Sequence, residues 1–261
     1  MKVFIFLSLL TILGGCTNRA ASKNTAHQKQ QSSSIVIMSA ELQQLDTTAT
    51  LWYLADDEIV RFFSTARQVE NTEAAKIIYE RYAPYSMVGK LSRYGQYFEF
   101  VVHASGVAIL TGEWDSRETR FYVACDKIHK ELFNNLDIWN SEGVKMLLLS
   151  QHRSSEYTSL EEFNRWCEAW RLSVTEFNSY VSISREFTST AELYATFQNF
   201  PCRLFGYLVW KGQVCWYFLE SSAPLRILNA TTDEVVGLFG SMDRRGERYV
   251  FEIGIYTEMY D

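Results

Sequence analysis

The chain has 261 residues, 31 acidic against 25 basic side chains, a formal charge of −6 and 47% hydrophobic residues. That is enough apolar material for a substantial core. No Lys/Arg-dense run supplies the positive footprint of a nucleic-acid binder, so no nucleic-acid partner is expected, and the acidic balance suits a basic partner or serves solubility alone.

Met1-Lys2 is a short basic start, and Val3 to Leu13 is apolar apart from Ser8 and Thr11. A spanning helix needs about 20 apolar residues, and this run stops well short of that at polar Thr17-Asn18-Arg19. The residues Leu13-Gly14-Gly15-Cys16 resemble the lipobox of bacterial lipoproteins. The resemblance covers this signal alone. It implies cleavage before Cys16, a thioether-linked diacylglycerol on the Cys16 sulfur and an acylated Cys16 amine. It therefore implies a lipid anchor in a membrane of the cell envelope, facing the periplasm from the outer membrane if the host is Gram-negative, since Thr17 is not the Asp that commonly signals inner-membrane retention. Two or three acyl chains on one residue make such attachment durable, at about 0.8 kcal/mol per buried methylene. An ordinary secretory cut after Ser22 is the alternative.

Thr17 to Ser34 is polar, with no aliphatic residue larger than Ala, and reads as a disordered tether. A flexible chain of this length spans roughly 25 Å root-mean-square. The expected organisation is thus a leader at 1–15, a lipidated Cys and tether at 16–34, and one globular domain at 35–261.

Within the domain, Ala49–Leu54 and Ile59–Ser64 are β-rich and flank the turn-like Ala55-Asp56-Asp57-Glu58, which predicts an early hairpin. Asn71 can cap a helix running to about Tyr82, stopped by Pro84. Tyr97–His103, Val107–Trp114 and Arg120–Ala124 predict a β meander. Asp126 can cap a helix with Ile128, Leu132, Phe133 and Leu136, and Val144–Leu149 reads as a strand. Ser159-Leu160-Glu161-Glu162 and Ser189-Thr190-Ala191-Glu192 are capping-box patterns ahead of two further helices, the second closed by Pro201. Strands return at Leu204–Trp210, Val214–Leu219, Leu225–Leu228, Glu234–Gly240 and Tyr249–Glu258, with turns at Lys211-Gly212 and Asp243-Arg244-Arg245-Gly246. Helices do not alternate with strands as βαβ units demand, so the expected class is α+β, mainly antiparallel sheet with about four helices packed against it.

Setting Cys16 aside leaves Cys125, Cys167, Cys202 and Cys215, which in an oxidising compartment permit two disulfides in three connectivities. A hairpin at Lys211-Gly212 pairs Cys215 with Leu208 and leaves Cys202 about 20 Å along the strand, beyond disulfide reach. Cys202 therefore needs another partner, and four buried thiols remain the other reading.

Named hydrolase and nucleotide motifs are absent from the sequence. His103, His129 and His152 are the domain's histidines, and Cys125 and His129 are the only locally paired metal-ligand types. Metal sites need three or four converging ligands, so no metal and no cofactor is expected. Glu113, Asp115 and Glu118, like Asp56, Asp57 and Glu58, sit at predicted turn tips. Glycosidase chemistry would instead need two carboxylates facing each other across a cleft. Trp210, Trp216 and Tyr217 crowd the Lys211-Gly212 hairpin, and strand alternation sends Trp216 and Tyr217 to opposite faces, which marks a candidate binding surface. Arg244 and Arg245 add a candidate contact for an anionic group. The reading this supports is a membrane-anchored envelope lipoprotein acting as a binding module for another envelope protein. Its role would be that of an assembly accessory or inhibitor, the sharper version being an immunity lipoprotein. The alternatives are an envelope hydrolase with a His- or carboxylate-based site and a lipid or small-molecule carrier.

Overall fold

The computed structural model describes residues 35–46, 52–112, 118–133, 136, 139, 144–155, 167, 170–197 and 202–241. The leader, the lipobox, the tether, the Ser159 capping box, the Arg244-Arg245 hairpin and the strand expected at 249–258 lie outside them.

Two antiparallel sheets carry the fold. The first holds β1 (Ile35–Gln44), β2 (Arg67–Val69), β3 (Tyr85–Arg93), β4 (Gln96–His103), β5 (Val107–Gly112) and β6 (Thr119–Val123), in the order β1-β3-β4-β5-β6-β2. The second holds β7 (Leu147–Leu148), β8 (His152–Ser155), β9 (Arg185–Glu186), β10 (Cys202–Trp210), β11 (Gln213–Glu220), β12 (Leu225–Asn229) and β13 (Val235–Gly240). Its order is β7-β10-β11-β12-β13-β9, and β8 also pairs with β10. Five helices accompany them among the described residues: α1 (Asp56–Thr65), α2 (Asn71–Glu80), α3 (Asp126–Leu132), α4 (Val174–Ile183) and α5 (Thr190–Thr196). The chain is thus α+β and mainly antiparallel.

Two hairpins follow from backbone chemistry. Tyr94-Gly95 and Lys211-Gly212 all take positive φ, 54° and 76° in the first pair, 48° and 74° in the second. That is the conformation in which a two-residue turn matches the right-handed twist of its strands. The β10–β11 register pairs Leu208 with Cys215, as the turn position predicts.

The early hairpin is a correction, because residues 56–65 form α1. Asp56, Asp57 and Glu58 occupy its first turn, where the helix dipole favours acids, and Glu58 Oε2 accepts the Ala55 N–H at 2.9 Å. Ile59, Phe62 and Phe63 then share one buried stripe, so helical spacing outweighs the β propensity of that run. Asn71 also departs from its expected role. Its amide pairs with the backbone of Val214, donating to the carbonyl at 2.9 Å and accepting from the N–H at 2.6 Å, which pins α2 to β11.

One core lies between the outer face of the first sheet and α1 with α3, joining Phe62 and Phe63 to Leu91, Phe100, Leu110 and Tyr122. The second cluster joins Val88, Val101 and Ile109 of the first sheet to Leu208, Val209 and Tyr217 of the second, with Ile78 of α2, Tyr82 just beyond it and Phe177 of α4. Polar bonds stitch this seam: Tyr82 Oη donates to Leu148 O at 2.7 Å, Ser86 Oγ to Leu149 O at 2.5 Å, and the hydroxyls of Thr111 and Tyr207 meet. At Gly206 a Cβ would stand 2.2 Å from Ser150 O, so only glycine lets residues 149–150 cross β10 this closely.

Cys202 finds its partner in Cys167, with Cα atoms 5.3 Å apart. Two disulfides are not formed: Cys125 and Cys215 keep their thiols, and burial pushes Cys215 up to about 12. Closing a 35-residue loop stabilises the fold by about 4 kcal/mol in the chain-entropy account.

Candidate functional site

Directly paired residues of an antiparallel sheet share a face, so the register of the second sheet sorts its side chains. On one face lie Leu204, Leu208, Cys215, Tyr217, Leu219, Leu225 and Ile227, all buried. Here α4 covers the sheet: Phe177 meets the Tyr217 ring edge-on at 5.2 Å, and Tyr217 Oη donates to Ser150 O at 3.2 Å. Tyr217 is therefore a core residue and no part of a binding surface.

The opposite face carries three rungs. Tyr207, Trp216 and Leu228 are mutually paired, as are His152, Phe205, Phe218, Arg226 and Leu238, and beside them Ser154, Arg203 and Glu220. The middle rung is a row of flat groups. His152 lies 5.5 Å from Phe205, Phe205 stacks with Phe218 at 6.4 Å and 12°, and the Arg226 guanidinium lies 5.5 Å from the Phe218 ring. Trp216 stacks on Tyr207 at 3.9 Å alongside. His152, Phe205, Trp216, Phe218 and Arg226 are all half-buried.

Behind the row sits a carboxylate. Glu220 is 2% exposed, and its Oε1 accepts from Tyr194 Oη of α5 at 2.7 Å, with Arg203 Nη2 at 3.5 Å and Arg226 Nη2 at 3.9 Å. Arg226 also faces the Tyr194 ring at 5.5 Å. Among the described residues Glu220 Oε2 and Arg226 Nε find no hydrogen-bond partner. Burial and the neighbouring carboxylate push Tyr194 up to about 12, so it stays a donor. Two guanidiniums thus gather around one carboxylate on an acidic protein. Such a surface can stack planar groups and pair carboxylates bidentately.

Trp210 is buried, edge-on to Phe239 at 5.7 Å, with Lys211 Nζ 4.0 Å above its ring. Of the three aromatics expected around the hairpin, only Trp216 joins the half-open face. Arg244 and Arg245 lie outside the described residues. Arg203, Phe205, Phe218 and Glu220 follow an i, i+2 alternation, Arg203-x-Phe205-x-Tyr207 and Trp216-x-Phe218-x-Glu220, but only the register and the α4-covered face mark that side as the half-open one.

A second concavity, of about 350 Å³, opens near α3, lined by Arg81, Asp126, His129 and Lys130 over Ala83, Ala104, Phe133 and Leu136. Gly106 sets its depth: φ is 81°, and a Cβ there would meet His129 Cδ2 at 2.7 Å. Beneath it His103 Nδ1 and Ser105 Oγ lie 2.8 Å apart, each 1% exposed, and burial drives His103 down to about 3. That pair braces the β4–β5 turn and is closed to a substrate. Burial first, then Arg81, also lowers His129. His152 stands in the second sheet, on β8. Among the described residues no three His, Cys, Asp or Glu side chains converge as metal ligands.

The chain matches no known family model, no curated protein and no solved structure.

Proposed function

We propose that the protein is a lipid-anchored module of the cell envelope that binds another envelope protein through the aromatic and arginine face of its second sheet, as an assembly accessory or inhibitor. The observation that carries this reading is the half-open row His152–Phe205–Phe218–Arg226 backed by the Glu220 cluster. Planar side chains already ordered by cross-strand packing lose little freedom on association, and Arg, Tyr and Trp are the residues on which binding energy concentrates. The half-open Arg226 guanidinium and the rings beside it select a partner patch with carboxylates and flat side chains. An immunity role against a basic toxin would need a different, acidic face. The hydrolase alternative draws no support from His103, which is neutral and enclosed.

The anchor reading rests on Leu13-Gly14-Gly15-Cys16 and is tested by Cys16→Ser, which releases the protein from membranes; continued pelleting of that variant contradicts it. The binding reading is tested by crosslinking in mild detergent with wild type and Arg226→Ala. A partner captured by the first and lost by the second supports the face, since an interface arginine of this kind contributes about 2 kcal/mol or more. Equal capture by both removes it.

A further inference from the structure

Exposed large apolar side chains gather at one corner of the first sheet. Val36, Met38, Tyr94 and Tyr97 are 60%, 56%, 70% and 52% exposed. Val36 pairs with Ser92 and Ser92 with Tyr97, forming one rung across β1, β3 and β4. Tyr94 is the tip of the β3–β4 hairpin, and Met38 sits at the register shift between Ile37 and Ser39. Farther along the same face Val88, Val101 and Ile109 are buried between the sheets, so this end of the face projects past the seam. Arg93 adds a positive charge, its guanidinium 5.6 Å from the Tyr94 ring.

Water disfavours such a cluster, and its chemistry names an environment. Tyrosine rings settle at the head-group level of a bilayer, short apolar side chains enter the acyl boundary just below, and a guanidinium pairs with anionic head groups. The chain also arrives at this corner: Ile35 pairs with Arg93, so β1 starts beside the hairpin tip, with 18 residues between it and Cys16. Delivery by a short linker raises the local concentration of membrane around the patch, so a contact too weak to hold a free protein is occupied in an anchored one.

We propose that the corner formed by Val36, Met38, Arg93, Tyr94 and Tyr97 is a bilayer-contact surface that seats the domain on the membrane carrying its anchor. The proposal rests on the anchored reading of residues 1–34 and goes beyond it, because an anchor alone leaves the domain free to tumble.

The test is amide exchange read by mass spectrometry. The acylated full chain, reconstituted in vesicles of mixed phosphatidylcholine and phosphatidylglycerol, is compared with the Cys16→Ser chain in solution. Peptides covering 35–38 and 92–97 exchange several-fold more slowly on the vesicles, while those around the equally exposed Tyr53 and Tyr79 are unchanged. A chain with both Tyr94→Ser and Tyr97→Ser stays acylated and vesicle-bound but loses that protection. Should its core amides also lose protection, Arg93→Ser is the replacement, with the slowing reduced on anionic vesicles. An acylated, vesicle-bound wild type whose corner exchanges as fast as in solution overturns the proposal and leaves the anchor standing. A Cys16 peptide of unmodified mass, with no flotation, overturns both.

Discussion

The two sheets use the same residue types to opposite ends. The first is covered on both faces over most of its area, by α1 and α3 on one side and by the second sheet on the other, so Phe100, Leu110 and Ile109 all become core. The second is sealed by α4 on one face, while on the other the first sheet meets Tyr207 and α5 meets Glu220 and Leu238, and Phe205, Phe218 and Arg226 are left half open between them. The contrast is sharpest at adjacent residues: Tyr217 is fully buried and Phe218 is not. An aromatic strand residue therefore declares its role through what covers its face, which composition alone does not reveal.

Breaking the covered side has the largest expected effect. Tyr217→Ala removes a ring packed on Phe177 and strands a bonded carbonyl, costing about 4 kcal/mol in a denaturant melt. Cys202→Ser opens the link to Cys167 and also costs about 4 kcal/mol, which reducing agent should reproduce in the wild type with no further effect on the variant. Gly206→Ala forces a methyl against Ser150 O and costs about 2 kcal/mol.

Acid acts on the first sheet's seam through His103, held at about 3 in the fold against 6.5 when exposed. The unfolded chain takes up that proton first, so stability is full above about pH 6.5 and falls as pH drops toward 3. The slope is about 1.4 kcal/mol per pH unit for this one group. His103→Gln should flatten that part of a stability-against-pH curve; an unchanged slope would assign the acid sensitivity elsewhere.

Much of the fold was legible. The meander β4–β5–β6, the β10–β11 register and the Ser189–Glu192 start of α5, where Ser189 Oγ accepts the Glu192 N–H at 3.1 Å, all follow from spacing and turn chemistry. Strand β1 was missed because its alternation breaks at Met38, where the register shifts. Helix α4 was missed although Ser173-Val174-Thr175-Glu176 is a capping box, closed reciprocally at 2.8 and 3.2 Å. The candidate site was half visible: Trp216 lay within the expected surface, whereas the Phe205–Phe218–Arg226 row depends on the register of three strands and on which face α4 covers. No local pattern encodes that. Cys167 as the partner of Cys202 is likewise a product of tertiary placement, 35 residues away in sequence.

The comparison is tested most directly on the open side, by measuring stability and partner capture together for Phe218→Ala beside Tyr217→Ala. The account predicts that Phe218→Ala loses about 2 kcal/mol in the melt, roughly half the cost at fully buried Tyr217, yet loses the crosslinked partner. A Phe218→Ala chain that destabilises as strongly as Tyr217→Ala, or that captures the partner as well as wild type, would contradict it.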